Sequence, residues 1–83
     1  MATTDIEATV VVDARGLLCP MPVVKTAKAM KELAAGQVLK LLSTDRGSVA
    51  DIPAWAESTA NALIEWHEEG SEFVFHLRKG QGG

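Results

Sequence analysis

Cysteine occurs once in the 83 residues, at Cys19, and tyrosine does not occur at all. A single cysteine excludes an internal disulfide and a cysteine-rich metal site. Three basic residues never stand together, and the formal net charge is −3. Both facts argue against nucleic acid, which calls for a concentrated basic surface. No apolar run approaches the roughly 20 residues of a membrane span. The opening Met1-Ala2-Thr3-Thr4-Asp5 lacks the basic start and apolar stretch of a secretory signal, so the cytoplasm is the expected compartment. The chain is long enough for one small domain that buries roughly two thirds of its unfolded surface. With no second domain to enclose a substrate, a large ligand must bind at the surface or at a partner interface.

What is present alternates between strand and helix patterns. Residues 1–8 read as a loose N-terminus, 9–79 as the domain and 80–83 as a glycine-rich tail. Val10-Val11-Val12 is β-branched and is expected to be a strand, closed by Asp13-Ala14-Arg15-Gly16. A helical pattern follows Pro20 as far as Ala34, with Val23, Ala27, Met30 and Ala34 on one face and Gly36 as its stop. Val38 to Leu42 reads as a second strand. A second helix is expected with Asp51 as its cap, because Pro53 is best tolerated in a first turn. Its inner stripe is Ile52, Trp55, Ala56, Thr59 and Ala60. A two-residue turn at Glu69-Gly70 would set Trp66 opposite Phe73 and Ile64 opposite Phe75. Glu65, His67, His76 and Arg78, with Lys40, would then share a polar face, leaving both helices on the other. The expected fold is therefore α+β: a two-layer α/β sandwich in βαβαββ order, with a mixed four-stranded sheet and two helices on one face.

The chemistry centres on Cys19-Pro20-Met21-Pro22. Proline loses nothing in the first turn of a helix, where N–H groups have no internal acceptor. With Pro20 as the first helical residue, Cys19 becomes the N-cap and its sulfur faces the positive end of the helix dipole. That placement favours thiolate, the nucleophilic form, and suits an anionic persulfide equally well. The prolines also stiffen the turn and fix the direction of the sulfur. The competing reading is a buried cysteine acting as a small apolar side chain among Leu17, Leu18, Val23 and Val24.

The segment from Asp13 to Pro22 resembles the signature of the TusA/SirA-type sulfur-carrier family: a strand end, Gly-Leu, then Cys-Pro-any-Pro. The similarity extends through Asp51-Ile52-Pro53 and Arg78-Lys79, covering roughly residues 9 to 80. The resemblance implies the same βαβαββ fold. It implies that Cys19 carries sulfur as a covalent persulfide, with no other cofactor, and that Gly16, Pro20 and Pro22 shape the turn. It implies a cysteine desulfurase or rhodanese-like donor and a downstream acceptor protein, as in transfer-RNA thiolation, cofactor assembly or sulfur oxidation. Family members in the transfer-RNA pathway often have a basic residue before the cysteine and Glu between the prolines. Leu18 and Met21 stand there in this chain, which makes its partner surface less charged.

Around the motif, Arg15 is a candidate for stabilising the anionic sulfur or steering a partner, and Asp13 and Lys25 lie close by in sequence. Leu17, Leu18 and Met21 are candidates for an apolar docking patch. His67 and His76 are too few for a metal site, so no metal is expected. The terminal Gly82-Gly83 raises a second route, the terminal thiocarboxylate of ubiquitin-like carriers; those open with a hairpin, whereas one strand precedes the helix here. A redox or regulatory binding module using Cys19 without sulfur transfer is the main alternative. The chain is expected to be a monomer when free, a carrier acting with partner enzymes and with no evident acid or base of its own.

Overall fold

Side chains alternate strictly along the first two strands, β1 (Val10–Ala14) and β2 (Val38–Ser43), with every second residue turned inward. The computed structural model describes residues 8–80. The remaining elements are α1 (Met21–Met30), α2 (Ser48–Ser58), β3 (Ala62–Glu69) and β4 (Glu72–Arg78). The four strands form one sheet in the order β1-β2-β4-β3. β1 runs parallel to β2, while β4 is antiparallel to both β2 and β3. This is the mixed α+β architecture expected from the sequence. Val12, Ala14, Leu39, Leu41, Phe73, Phe75 and Leu77 form the sheet side of the core, and Met30, Ile52 and Ala56 close it from the helices.

Three local expectations are corrected. The β3–β4 turn is Gly70-Ser71, with Glu69 opposite Glu72. Gly70 has φ +60, and tight hairpins that need a positive φ at the first turn position put glycine there rather than second. Trp66 therefore pairs with Phe75, not Phe73, and stacks on it with ring centroids 5.8 Å apart. Its partner moves by two residues, so Trp66 keeps the same face. Ile64 falls in an irregularity between Leu63 and Glu65 and is exposed, and Leu63 meets Leu77 instead.

α1 ends at Met30 rather than Ala34, and its fully buried line is Pro22, Thr26 and Met30. Threonine's methyl group lets it serve there; Ala34 is exposed. α2 starts three residues before Asp51, and Pro53 lies inside it. Carbonyls of Asp45, Arg46 and Gly47 accept from the N–H groups of Ser48, Val49 and Ala50, so the loop itself satisfies the opening turn. The carboxylate of Asp51 is thereby left free of capping duty. Ala60, expected on the inner stripe, is exposed with φ +62 at the helix exit.

Gly80, assigned to the tail, is held in place. Its N–H donates to Asn61 Oδ1 at 2.8 Å. A Cβ there would stand 1.8 Å from the Ala60 carbonyl oxygen, so backbone must move. Gly80→Ala is expected to destabilise the fold by about 1–3 kcal/mol, read from urea unfolding. Residues 1–7 and 81–83, including Gly82-Gly83, lie outside the described residues.

The open sheet face carries Lys40, His76 and Glu65 side by side across β2, β4 and β3. β4 is central, so His76 is only 4% exposed despite facing away from the helices. Its Nδ1 has no hydrogen-bond partner and lies 3.8 Å from Glu65. Burial holds its pKa below the ordinary 6.5; Lys40 and His67 push the same way, and Glu65 opposes. The unfolded chain then binds more protons than the folded one just below that value, so stability falls as pH drops through it. The thermal midpoint should fall between about pH 7 and pH 5, and His76→Leu should flatten that slope.

Candidate functional site

Two loops meet at the C-terminal end of β1 and β2. The first, residues 15–20, begins with Gly16, whose φ of +82 makes the bend after β1 possible without strain. Its N–H donates to Thr44 Oγ1 at 2.8 Å. The N–H of Cys19 donates to Asp45 Oδ2 at 3.0 Å. These two bonds tie the cysteine loop to the loop that opens α2. Cys19 is exposed, which rules out the reading of a buried apolar cysteine.

Cys19 is not the helix cap. Pro20 occupies that position, joined to Cys19 by a cis peptide bond, and α1 begins at Met21. The helix start offers the sulfur little. The Met21 N–H is taken by the Leu18 carbonyl and the Val24 N–H by the Pro20 carbonyl, while Pro20 and Pro22 have no N–H to give. The prolines stiffen the turn, and with the two carbonyls they leave Val23 as the one first-turn N–H not so engaged.

The group that does meet the sulfur is Asp51, in the first turn of α2. Cys19 Sγ donates to Asp51 Oδ2. This hydrogen bond raises the cysteine pKa to about 11, with partial burial and the charges of Asp51 and Asp45 adding to it. The resting sulfur is therefore a protonated thiol, opposite to the thiolate expected from the helix dipole. Two carboxylates outweigh a helix end stripped of its donors. Asp51 is a site residue that the sequence did not single out for the sulfur. It was read as a cap, although its place in Asp51-Ile52-Pro53 was the available signal.

Arg15 does not serve the sulfur. Its guanidinium grips both carboxylate oxygens of Asp13 at 2.9 Å and reaches Glu72 Oε2 at 3.2 Å. That grip holds Asp13 down at about 2 and keeps Arg15 charged at any accessible pH. The pair braces the end of β1 against β4. Leu17 is half-buried against the core, whereas Leu18 is 73% exposed and Met21 44% exposed beside Cys19. Pro22 is fully buried and anchors the turn. Lys25 lines a groove between β1 and α1. His67 bonds Glu69, and among the described residues no group of three or more potential metal ligands gathers anywhere.

The family model described as sulfurtransferase TusA matches residues 10–79. The chain belongs to the TusA family. It is 45% identical over 67 residues to the sulfur carrier protein TusA of Allochromatium vinosum, a match covering 81% of this chain and 88% of that protein. It is 53% identical over 74 residues to the candidate sulfur carrier YrkF of Bacillus subtilis, where the match covers 89% of this chain but 40% of the longer relative. A SirA-like protein of Desulfitobacterium hafniense, solved by crystallography, superposes with a TM-score of 0.77 at 27% identity, over 88% of this chain and 100% of that one. The TusA-family match makes this chain a sulfur carrier working with donor and acceptor proteins. No helix among the described residues is long and apolar enough to cross a membrane.

Proposed function

We propose that the chain accepts sulfane sulfur as a persulfide on Cys19 and relays it to an acceptor protein. The observation that carries this reading is one exposed thiol, on a proline-stiffened turn, hydrogen-bonded to a carboxylate from another element. In the loading step Cys19 Sγ attacks the outer sulfur of a persulfide on the donor. One S–S bond forms as another breaks, and the donor's cysteine leaves as a thiolate. The thiol proton passes to Asp51 and from there to the leaving thiolate. Sulfur changes hands with no net oxidation. Delivery is the same exchange with the acceptor thiolate attacking.

Asp51 gives the two states of the carrier different electrostatics. The unloaded thiol donates to the carboxylate and stays protonated, which guards it against oxidation, since thiolate is the oxidised form's precursor. The loaded persulfide is anionic near neutral pH, and Asp51 and Asp45 repel it outward. Exposed Leu18 and Met21 supply an apolar dock beside the sulfur. Cysteine desulfurases and rhodaneses are the donor classes that present such a persulfide.

The test is intact-mass spectrometry after incubation with a cysteine desulfurase and cysteine, or with a rhodanese and thiosulfate. A gain of one sulfur atom, removed by reductant, is expected. No gain with either donor class would leave Cys19 as a redox or docking thiol.

A further inference from the structure

The two edges of the sheet are built differently. At the β3 edge the ladder is interrupted between Leu63 and Glu65, and Glu65, His67, Glu68 and Glu69 make the strand highly polar. Irregularity and charge are the usual devices that stop an edge from pairing with another chain. The β1 edge is regular, and its one charge, Asp13, is neutralised by Arg15. It reads Val10-Val11-Val12, pairs regularly with β2, and leaves Val11 56% exposed. Thr9 N–H bonds the Val38 carbonyl at 2.7 Å. Leu39, Leu41 and Ser43 turn their backbone groups to β4, so Lys40 and Leu42 bond β1 through Val10, Val12 and Ala14, and Val11 and Asp13 turn their N–H and C=O groups away from β2.

Above this edge α1 overhangs. Met21, Val24, Lys25 and Lys28 recur at helical spacing on the flank that roofs an 840 Å³ open groove, with Val10, Val12 and Leu17 as its wall and floor. The groove is continuous with the sulfur site, because Leu17 and Met21 bracket Cys19 in the chain. Of the two acids that line the groove, Asp13 is already held by Arg15 and Glu32 stands one turn past Lys28 at its far end; among the described residues neither Lys25 nor Lys28 belongs to an ion pair.

We propose that the β1 edge and this groove receive an extended, acidic segment of a sulfur-exchanging partner, added to the sheet as a fifth strand. The segment's backbone bonds Val11 and Asp13. Its helix-side residues are apolar under Met21 and Val24 and acidic under Lys25 and Lys28. Five residues of β1 span about 17 Å, enough to pair with five or six residues of the partner. That the occupant exchanges sulfur rests on the carrier reading; the pairing does not.

The test uses the full chain carrying Cys19→Ala, so that failure of sulfur transfer cannot affect it. The probe is a capped six-residue peptide with valine, valine and glutamate at alternate positions and threonine between them. Amide exchange at Val11 and Asp13 should slow by at least about tenfold with saturating peptide. Lys25→Glu with Lys28→Glu should weaken peptide binding about tenfold, and a lysine-for-glutamate peptide should restore it. A peptide N-methylated along its pairing edge should not protect. The proposal is overturned if Val11 and Asp13 gain no protection, or if the charge of the peptide makes no difference. It is equally overturned if the free chain already protects them, whether through a second copy, seen as dependence on chain concentration, or through residues 1–7, seen on their removal.

Discussion

Asp51→Asn is expected to lower the cysteine pKa from about 11 toward the ordinary thiol value of 9.0 and to speed alkylation of Cys19 by iodoacetamide at neutral pH. The sign follows from the contact. The thiol donates to a carboxylate, and a neutral amide neither holds that proton as strongly nor repels the thiolate. Asp45 remains near, so the unperturbed value is the limit of the fall. A drop of roughly two units would raise the thiolate fraction about 100-fold at pH 7. The less basic thiolate is also the weaker nucleophile, by roughly tenfold over that range, so the net gain is about tenfold. The pH–rate profile separates the two effects, because its midpoint moves with the pKa alone. An unchanged midpoint would remove Asp51 from the chemistry of the site. Asp45→Asn is the contrasting case. Its amide oxygen can still accept from the Cys19 N–H, so the substitution removes only a weaker charge effect and should shift the midpoint less.

Cys19→Ala should abolish sulfur loading while leaving the fold intact. The side chain is exposed and the core contains no atom of it, so no cavity forms. The loss of the Asp51 contact leaves a surface carboxylate in water, which costs little. Stability to urea should change by less than about 0.5 kcal/mol. Loading should fall to background, since no second cysteine exists to take the sulfur. Loading that persists in a folded Cys19→Ala chain would place the sulfur elsewhere, with the terminal Gly83 as the first residue to examine.

The elements were legible because their signals are local. Period-two alternation marks β1 and β2, and proline at a helix start marks α1. The polar row of Lys40, His76 and Glu65 placed both helices on the opposite face. What was not legible depends on distant residues or on fine turn geometry. Asp51 reaches Cys19 from 32 residues away, and its place in Asp51-Ile52-Pro53 was the one signal that pointed to it. Arg15 was drawn toward the sulfur by proximity in sequence, yet Glu72 lies 57 residues on and Asp13 claims the rest of the guanidinium. The hairpin register turned on whether glycine takes the first or second turn position. The helix-dipole argument failed because Pro20 and not Cys19 is the cap, two prolines and two backbone carbonyls take up most of the first-turn donors, and Asp51 meets the sulfur instead.

The most direct measurement is peptide mapping of the chain after loading with isotopically heavy sulfur from a donor persulfide, followed by mixing with an acceptor thiol. The account predicts heavy sulfur on the peptide that contains Cys19, released by reductant, and passed to the acceptor as the label on Cys19 disappears. Label on any other peptide, or label on Cys19 that no acceptor thiol removes, would contradict it.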